Sequence, residues 1–335
     1  MSETVPCPLC SRPAPRRHGA QTGYQAPKVF AIHHCDGCET AFCQPLEVDP
    51  AVYEAIYRNV ETTPGYARYL DYSKGVLTAA DPLAWLADRE DVYWGIRQYM
   101  DARSDRKLKV LEIGSGLGYL THSLNRRGHE ALGLDLSQTA VDAATKRYGP
   151  YYRCGDAVRY AETSGERYDV IVATELIEHV PDVRAFLGAL GRLLKAGGDV
   201  ILTTPNRTAY PPDVLWETEP PPVHLWWFSE NAIEHLGGDL GLETTFVDFS
   251  AYNVLDPDRP RVKVRKYQPT RGGVLDASGK VVTSTVKRVL HALGLRPATR
   301  ALRHAAKRTL HSVRKRPETA EPRRTVLCAV MHRPA

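Results

Sequence analysis

Short apolar runs alternate with stretches of helical period along residues 107–250. The runs predict six strands, at 107–113, 130–136, 151–154, 168–174, 199–204 and 243–249. Apolar positions recurring every three or four residues predict helices between them, at 119–127, 137–148, 183–194 and 229–236. The Ser137 hydroxyl is the predicted N-cap of the second of these helices. Strands that alternate with helices favour an α/β fold with a doubly wound, mostly parallel sheet. Such sheets bind ligands at the carboxyl ends of their strands.

The flanks of this region differ from it in composition. Residues 1–48 hold five of the seven Cys, and residues 49–105 are dense in Tyr and Trp, which suits a helical lid or linker before the core. We expect the core to span 106–250 and a basic, helical insertion to span 251–323. Residues 324–335 carry an apolar run that predicts a final core strand beside the sixth.

A glycine-rich turn joins the first predicted strand to the first helix. Gly114, Gly116 and Gly118 permit a tight turn and a close approach of the backbone to a ligand. Asp135 follows 21 residues after Gly114, at the end of the second strand, where it can accept hydrogen bonds from ribose hydroxyls. A dinucleotide enzyme is disfavoured, because Tyr119 takes the place of the third glycine in the pyrophosphate-binding pattern. The loop suits a ligand with a ribose and a charged amino-acid tail.

The ordered combination of motifs resembles a class I S-adenosylmethionine-dependent methyltransferase. It comprises E-x-G-x-G-x-G from Glu112, then Asp135, G-D-A at 155–157, YDVIVATELIEHV at 168–180, LLKAGGDVILTTPN at 193–206 and HLWWFS at 224–229. The resemblance implies a Rossmann-like, seven-stranded sheet built from residues 107–250 and the final strand. It also implies S-adenosylmethionine as the cofactor.

The resemblance assigns cofactor-binding roles to individual residues. The three glycines would line the methionine part, Asp135 would hold the ribose hydroxyls, and Asp156 with Ala157 would lie at the adenine. Thr174 and Glu175 would border the cofactor beside the substrate. The full set implied is Glu112, Gly114, Ser115, Gly116, Gly118, Asp135, Leu136, Asp156, Ala157, Thr174 and Glu175.

The segment after the fourth strand carries the candidate catalytic residues. E-x-x-E-H at 175–179 resembles both ubiquinone-pathway O-methyltransferases and small-RNA 3′-end methyltransferases. In the RNA enzymes such residues hold a divalent metal, which here would be Mg²⁺ at Glu175, Glu178, His179 and His224. Without a metal, Glu178 and His179 would order the loop before Pro181. We predict His179 as the general base, since an imidazole takes up a hydroxyl proton near neutral pH, with Glu178 and His224 beside it.

Two C-x₂-C pairs lie near the start of the chain, Cys7 with Cys10 and Cys35 with Cys38, separated by 24 residues. Two such pairs supply four thiolates for a tetrahedral zinc ion. A ribbon this small buries little apolar area, so the metal would supply folding energy. Disulfides or a redox pair are the alternatives. The four Cys predict a structural zinc site with no open position for catalysis.

The net charge of +5 is unevenly distributed. Residues 251–324 hold 19 Lys and Arg against five Asp and Glu, a balance of +14 that leaves −9 for the rest. Two helices are predicted within it, at 283–293 and 297–316, the second amphipathic and basic. Such a helix suits an acidic partner, which would be a membrane surface, a carrier protein or a nucleic acid. A solvated face that packs on its own domain is the alternative.

Three functions fit these features. The first is an O-methyltransferase acting on a small molecule or saccharide in natural-product or surface-glycan biosynthesis. The second is an RNA methyltransferase that binds through the zinc ribbon and the basic insertion. The third is a protein that binds S-adenosylmethionine without transferring methyl groups. No run of 18 apolar residues and no signal segment occurs, so we expect a cytoplasmic protein.

Overall fold

The structure is a computed structural model that describes residues 3–17, 19–63, 66–209, 219–255, 273–282 and 325–335. The strands are β1 (Thr4–Pro6), β2 (Pro13–Pro15), β3 (Gln21–Thr22), β4 (Val29–His34), β5 (Ala41–Gln44), β6 (Lys109–Ile113), β7 (Glu130–Asp135), β8 (Tyr152–Cys154), β9 (Tyr168–Thr174), β10 (Leu194–Pro205), β11 (Trp226–Trp227), β12 (Glu243–Phe246) and β13 (Val326–His332). The helices are α1 (Pro50–Arg58), α2 (Ala67–Gly75), α3 (Pro82–Ala87), α4 (Asp91–Asp101), α5 (Tyr119–Arg126), α6 (Gln138–Tyr148), α7 (Ala157–Thr163), α8 (Val183–Leu193), α9 (Glu230–Asp239) and α10 (Ser250–Leu255).

Seven strands form the central sheet in the order β12-β13-β10-β9-β6-β7-β8. The pairs from β8 to β10 are parallel, and β13 runs antiparallel between β10 and β12. The predicted α/β fold with a mostly parallel seven-stranded sheet is therefore confirmed. Strand order reverses between β6 and β9, and an open α/β sheet binds ligands at the carboxyl ends of its strands beside such a point.

Both faces of the sheet are buried, which explains why its strands read as nearly continuous apolar runs. Along β6, Leu111 and Ile113 belong to the core under α8 and α9, whereas Val110 belongs to the core under α4, α5 and α6. Successive side chains point to opposite faces of a strand, so each face has its own layer of helices.

The strand β10 begins five residues before the predicted start at 199. Leu194 pairs with Tyr168, and the register shifts between Leu194 and Asp199, where the chain passes through Gly197 at φ +72°. Residues 195–197 are exposed. Lys195, Ala196 and Gly197 carry no strand pattern, so the sequence indicated only the buried part of β10.

The strands β1 to β5 form a small β module before the core, which we call the Cys module. β1 pairs with β2, and a second sheet has the order β11-β5-β4-β3. β11 comes from the H-L-W-W-F-S segment of the core, so the two parts share a sheet. Leu275 adds an isolated bridge to Gln25 and packs with Tyr24 and Ile56.

Much of the predicted basic insertion lies outside the described residues, including both of its predicted helices. Within the described chain, every helix falls short of the length and apolar character needed to cross a bilayer.

Candidate active site

The glycine loop after β6 leaves space beside its backbone. Gly114, Gly116 and Gly118 all have positive φ, at +73°, +48° and +80°. A Cβ atom at Gly116 would meet only the Gly114 carbonyl oxygen, at 4.0 Å, so the loop faces open space there. Next to it, the Ser115 hydroxyl is buried and has no hydrogen-bond partner among the described residues. An exposed backbone turn with an unsatisfied hydroxyl fits a polar ligand.

Asp135 ties the loop to the end of β7. Its carboxylate accepts hydrogen bonds from the Gly116 amide at 2.7 Å and from the Ser137 amide at 2.9 Å. Burial raises the pKa of Asp135, and these two amides oppose the rise. The Ser137 hydroxyl in turn caps α6 by accepting from the Ala140 amide at 3.2 Å, as predicted for this residue.

Glu112 lies beneath the loop, 3% exposed. The Thr121 hydroxyl of α5 donates to its carboxylate. Burial raises the pKa of Glu112 to about 8, against the opposing effect of Thr121. Glu112 thus joins β6 to α5 below the turn.

The predicted adenine-side residues follow β7 and β8. Asp156 caps α7 by accepting from the Arg159 amide at 3.0 Å, and Ala157 is buried behind it. The Gly155 amide donates to the Asp135 carbonyl at 2.9 Å, which holds the two strand ends together. Leu136 is 74% exposed, an unusual position for a leucine. An apolar side chain projecting beside the Asp135 carboxylate suits contact with a flat base.

Thr174 ends β9, and Glu175 follows it with φ +47°, a strained conformation for a residue with a Cβ atom. Its amide donates to the Thr203 carbonyl at 2.9 Å. Its Oε1 atom is buried and lacks a hydrogen-bond partner in the described chain. Burial, and then the Glu178 carboxyl, raise the pKa of Glu175 well above its usual range. Leu176 lies against Gly114, which places this turn beside the glycine loop.

Glu178, His179 and His224 come together on the same side of the sheet. One ligand atom from each lies within 4.8 Å of the others. The Glu178 Oε1 atom is 3.9 Å from Nε2 of His179 and 4.0 Å from Nε2 of His224. The Thr204 hydroxyl donates to the other Glu178 oxygen at 2.9 Å. Glu175, the fourth residue of the predicted metal site, is not part of this group.

The His179 ring is held by a backbone carbonyl. Its Nδ1–H donates to the Val223 carbonyl oxygen at 2.7 Å, so Nε2 is the nitrogen left to act. Burial lowers the pKa of His179, and the Val223 carbonyl opposes this. The pKa of His224 is also lowered, by burial and then by His179. Both imidazoles are therefore neutral at physiological pH, and His179 can accept a proton.

Several residues around this group were not predicted. Tyr53 of α1 donates to the Val223 carbonyl at 3.2 Å, and its oxygen lies 3.2 Å from Nδ1 of His179. The Glu219 carboxyl has a buried oxygen without a hydrogen-bond partner, and burial raises its pKa to about 8. The aromatic density before the core pointed to α1 in general but not to Tyr53. Nothing in the local sequence singles out Thr204 or Glu219.

The four predicted zinc ligands also come together. The sulfurs of Cys7, Cys10, Cys35 and Cys38 lie within 4.8 Å of one another, and all four Cys are free thiols. The residue after each pair, Ser11 and Glu39, has a positive φ, at 59° and 57°. The two pairs therefore form turns of the same shape, which aim four sulfurs at one point.

Comparisons with known proteins agree with this geometry. Residues 85–246 match a family described as "Methyltransferase domain". The ubiquinone biosynthesis O-methyltransferase of Azorhizobium caulinodans is 41% identical over 118 residues, which cover 32% of this chain and 46% of that protein. The human mitochondrial ubiquinone biosynthesis O-methyltransferase is 29% identical over 163 residues, 44% of each chain.

The match to these relatives is partial. The chain spans about half the length of the curated relatives it matches. Among solved structures, a SAM-dependent methyltransferase from Archaeoglobus fulgidus aligns at 14% identity with a TM-score of 0.42, covering 79% of this chain and 99% of that one.

Strand order, glycine loop and family match define the class of the domain. Residues 85–246 match a methyltransferase domain, and the strand order and the glycine loop support the class I, S-adenosylmethionine-dependent type. The Cys-rich module before it lies outside the matched residues.

Proposed function

We propose that the chain transfers a methyl group from S-adenosylmethionine to a hydroxyl oxygen of a small molecule. The observation that carries this proposal is the group formed by Glu178, His179 and His224. Its first two members lie on the turn after β9, whose Leu176 lies against Gly114 of the glycine loop. One end of this site has the polar loop that suits the cofactor. The other has an imidazole nitrogen suited to an acceptor proton.

The geometry around the loop supports the cofactor-binding roles that the resemblance implies. Asp135 would accept from the ribose hydroxyls, Leu136 would contact the adenine, and the three glycines would leave room for the methionine part. S-adenosylmethionine supplies the methyl group of a sulfonium. The bond between this methyl carbon and sulfur breaks as the new C–O bond forms, and a thioether is left. The chain's task is to align the acceptor oxygen with that methyl group and to exclude water.

The acceptor proton would pass to Nε2 of His179. This nitrogen is unprotonated because Nδ1 carries the ring proton toward the Val223 carbonyl. Burial raises the pKa of Glu178 to about 8, so it is mostly protonated at neutral pH; its ionised form, with Oε1 3.9 Å from Nε2 of His179, would stabilise the imidazolium. The lowered pKa of His179 keeps the base in its active form at neutral pH.

A divalent ion at the same group is a second candidate role. The orphaned Glu178 Oε1 faces two imidazole nitrogens, a donor set that suits Mg²⁺ less well than a transition ion. Glu178, His179 and His224 would hold the ion, which would polarise the acceptor hydroxyl. An ion bound to Nε2 of His179 would occupy the position of the proton, so the two roles of this nitrogen exclude each other.

The names of the relatives support oxygen as the methylated atom and a small molecule as the acceptor. Nothing among the described residues favours a saccharide or a natural product over other hydroxyl compounds. An acidic partner for the basic insertion stays a prediction, because most of that segment lies outside the described residues.

The test is a turnover assay with labelled S-adenosylmethionine against hydroxylated small molecules, saccharides, RNA and DNA, with and without EDTA. We expect methylation of a small hydroxyl compound. His179→Ala should lower turnover by about 10²–10⁴-fold, the usual contribution of a general base. Binding of S-adenosylhomocysteine, measured by calorimetry, should be unchanged in this variant because the cofactor loop is intact.

Full turnover by His179→Ala would rule out the base. Loss of activity in EDTA that Mg²⁺ or Mn²⁺ restores would favour the metal role instead. Methylation of RNA alone would overturn the small-molecule acceptor, and cofactor binding without any turnover would leave a binding protein.

A further inference from the structure

We infer that the N-terminal Cys module positions the catalytic histidines, through the strand that it shares with the core. The inference rests on the proposed function in one respect, that His179 and His224 act on the acceptor. It assigns positioning roles to Phe42 and Trp226, which lie outside the group of Glu178, His179 and His224.

The module holds one side of the segment from residue 221 to residue 228. The Tyr24 amide donates to the Pro221 carbonyl at 2.7 Å, and the Cys43 amide donates to the Leu225 carbonyl at 2.9 Å. Trp226 pairs with Phe42 across the β5–β11 ladder, with ring centroids 5.7 Å apart. Both side chains are fully buried. The segment is thus an edge strand of the module.

The other side of the same segment holds the catalytic turn. The Leu225 amide donates to the Glu178 carbonyl at 2.8 Å. The Trp226 indole N–H donates to the Val180 carbonyl at 2.9 Å. The turn carrying Glu178 and His179 is therefore bonded to a strand whose other edge belongs to the module.

Both histidines depend on the segment from residue 221 to residue 228. His224 lies within it, just before β11, and so does the Val223 carbonyl that receives the Nδ1–H of His179. If the strand moved away from the turn, His179 would lose the acceptor that fixes its tautomer. Its Nε2 would then no longer be held unprotonated beside Glu178. The Cys module would thereby determine which ring nitrogen of His179 carries the proton, although His179 lies in another part of the chain.

Two substitutions weaken the link on its two sides. Phe42→Leu removes the ring that packs on Trp226 from the module side. Trp226→Phe keeps an aromatic ring but removes the indole donor to Val180. The control is Leu124→Ala, which deletes more buried volume but lies near the end of α5, away from the glycine loop, in the core on the other face of the sheet.

The main measurement is the ¹⁵N spectrum of the histidine rings, assigned with His179→Gln and His224→Gln. In the unaltered chain we expect the ring signal that His179→Gln removes to be that of an Nδ1–H tautomer. His33, whose Nδ1–H donates to the Ala14 carbonyl at 3.2 Å, should give a second such signal, which His179→Gln leaves in place. Phe42→Leu and Trp226→Phe should shift the His179 signal toward the averaged position of a free imidazole and lower turnover at least about tenfold. Affinity for S-adenosylhomocysteine should be unchanged in both, and Leu124→Ala should leave the His179 signal in place.

An unchanged His179 tautomer in both module variants would overturn the inference, whatever their turnover. The same shift in Leu124→Ala would do so as well, since it would show a general response to lost stability. These outcomes can be distinguished from a failure of the proposed function, because the ring spectrum is recorded without a methyl-acceptor substrate.

Discussion

Gly118 and Gly128 share a left-handed backbone, at φ +80° and +87°, but have different surroundings. A Cβ atom at Gly118 would lie 2.6 Å from the Ala144 Cβ and 2.7 Å from the Tyr152 ring. At Gly128 it would meet nothing within 4 Å. The Tyr152 hydroxyl also donates to the Gly118 carbonyl at 2.6 Å. Gly118 is thus required by its packing as well as by its backbone.

Alanine at these two positions should separate the two effects. Gly128→Ala should cost about 1–2 kcal/mol of unfolding free energy, the cost of the left-handed backbone. Gly118→Ala should cost about 2–5 kcal/mol, because overpacking is added to it. It should also weaken binding of S-adenosylhomocysteine. Urea unfolding and calorimetry measure the two quantities, and an equal loss of stability in both variants would show that the contacts of Gly118 relax freely.

The raised pKa of the buried Glu112 carboxyl lets us predict how the free energy of unfolding changes with pH. Because burial raises its pKa in the folded chain to about 8, the folded state holds its proton while the unfolded chain loses it near the ordinary value of 4.5. Between these two pH values, ionisation of Glu112 stabilises the unfolded chain relative to the folded one. The contribution of Glu112 to stability is therefore complete at low pH and falls as pH rises, by up to about 1.4 kcal/mol per pH unit.

The matched variant is Glu112→Gln, which cannot ionise and still offers Thr121 an acceptor. Its unfolding free energy in urea should fall less steeply than that of the unaltered chain between about pH 5 and pH 8. The cofactor should be absent from both samples. Parallel curves for the two proteins would show that Glu112 ionises in the folded chain as it does in the unfolded one.

At the scale of elements, the sequence was sufficient for the parts that local pattern determines. Apolar runs at 107–113 and 168–174 predicted β6 and β9, and Ser137 predicted the start of α6. The parallel order followed from the alternation of strands and helices. These features depend on periodicity and capping within a few residues, so one sequence reveals them.

Pairings between distant segments could not be predicted in this way. β11 has two residues, too few for any alternation, and its partner β5 precedes it by more than 180 residues. The carbonyl of Val223 that orients His179 has no side-chain pattern at all. Tyr53 reaches the site from α1, which precedes the matched residues 85–246, and Glu219 lies between β10 and β11, far from the turn after β9 in sequence. The predicted residues indicate which chemistry the site can perform, whereas the long-range contacts determine its geometry.

The whole molecule combines an acidic core with a basic segment. Two parts of that segment are described. Residues 251–255 end α10 and pack on the core through Tyr252, whereas residues 273–282 are bonded to the Cys module. The Leu275 amide donates to the Tyr24 carbonyl at 2.8 Å, and Leu275 packs in the same cluster as Val223. The module is therefore the meeting point of the N-terminus, the segment that carries His224 and one part of the basic stretch.

The metal prediction belongs to this scale, because the module's fold affects all three of these parts. A tetrahedron with Zn–S bonds of about 2.3 Å separates its sulfurs by about 3.8 Å. Cys7 and Cys38 have their sulfurs 3.7 Å apart, and those of Cys10 and Cys35 are 3.4 Å apart. The four thiols are thus placed for one ion without rearrangement of the two turns. We expect zinc content near one per chain, measured by atomic emission.

Two variants test whether these four Cys hold the ion. Cys35→Ser should abolish zinc binding and lower the thermal midpoint, since the free energy of metal binding would contribute to folding. Cys43→Ser is the control, because Cys43 is buried in the same module but its sulfur bonds the Pro45 carbonyl and lies outside the ligand group. It should retain the zinc. A folded protein free of zinc, or loss of zinc from both variants alike, would contradict the site. Because the Cys module shares its sheet with β11, loss of zinc should also shift the His179 ring signal away from the Nδ1–H tautomer. The zinc content of the Cys module would then determine which ring nitrogen of His179 carries the proton.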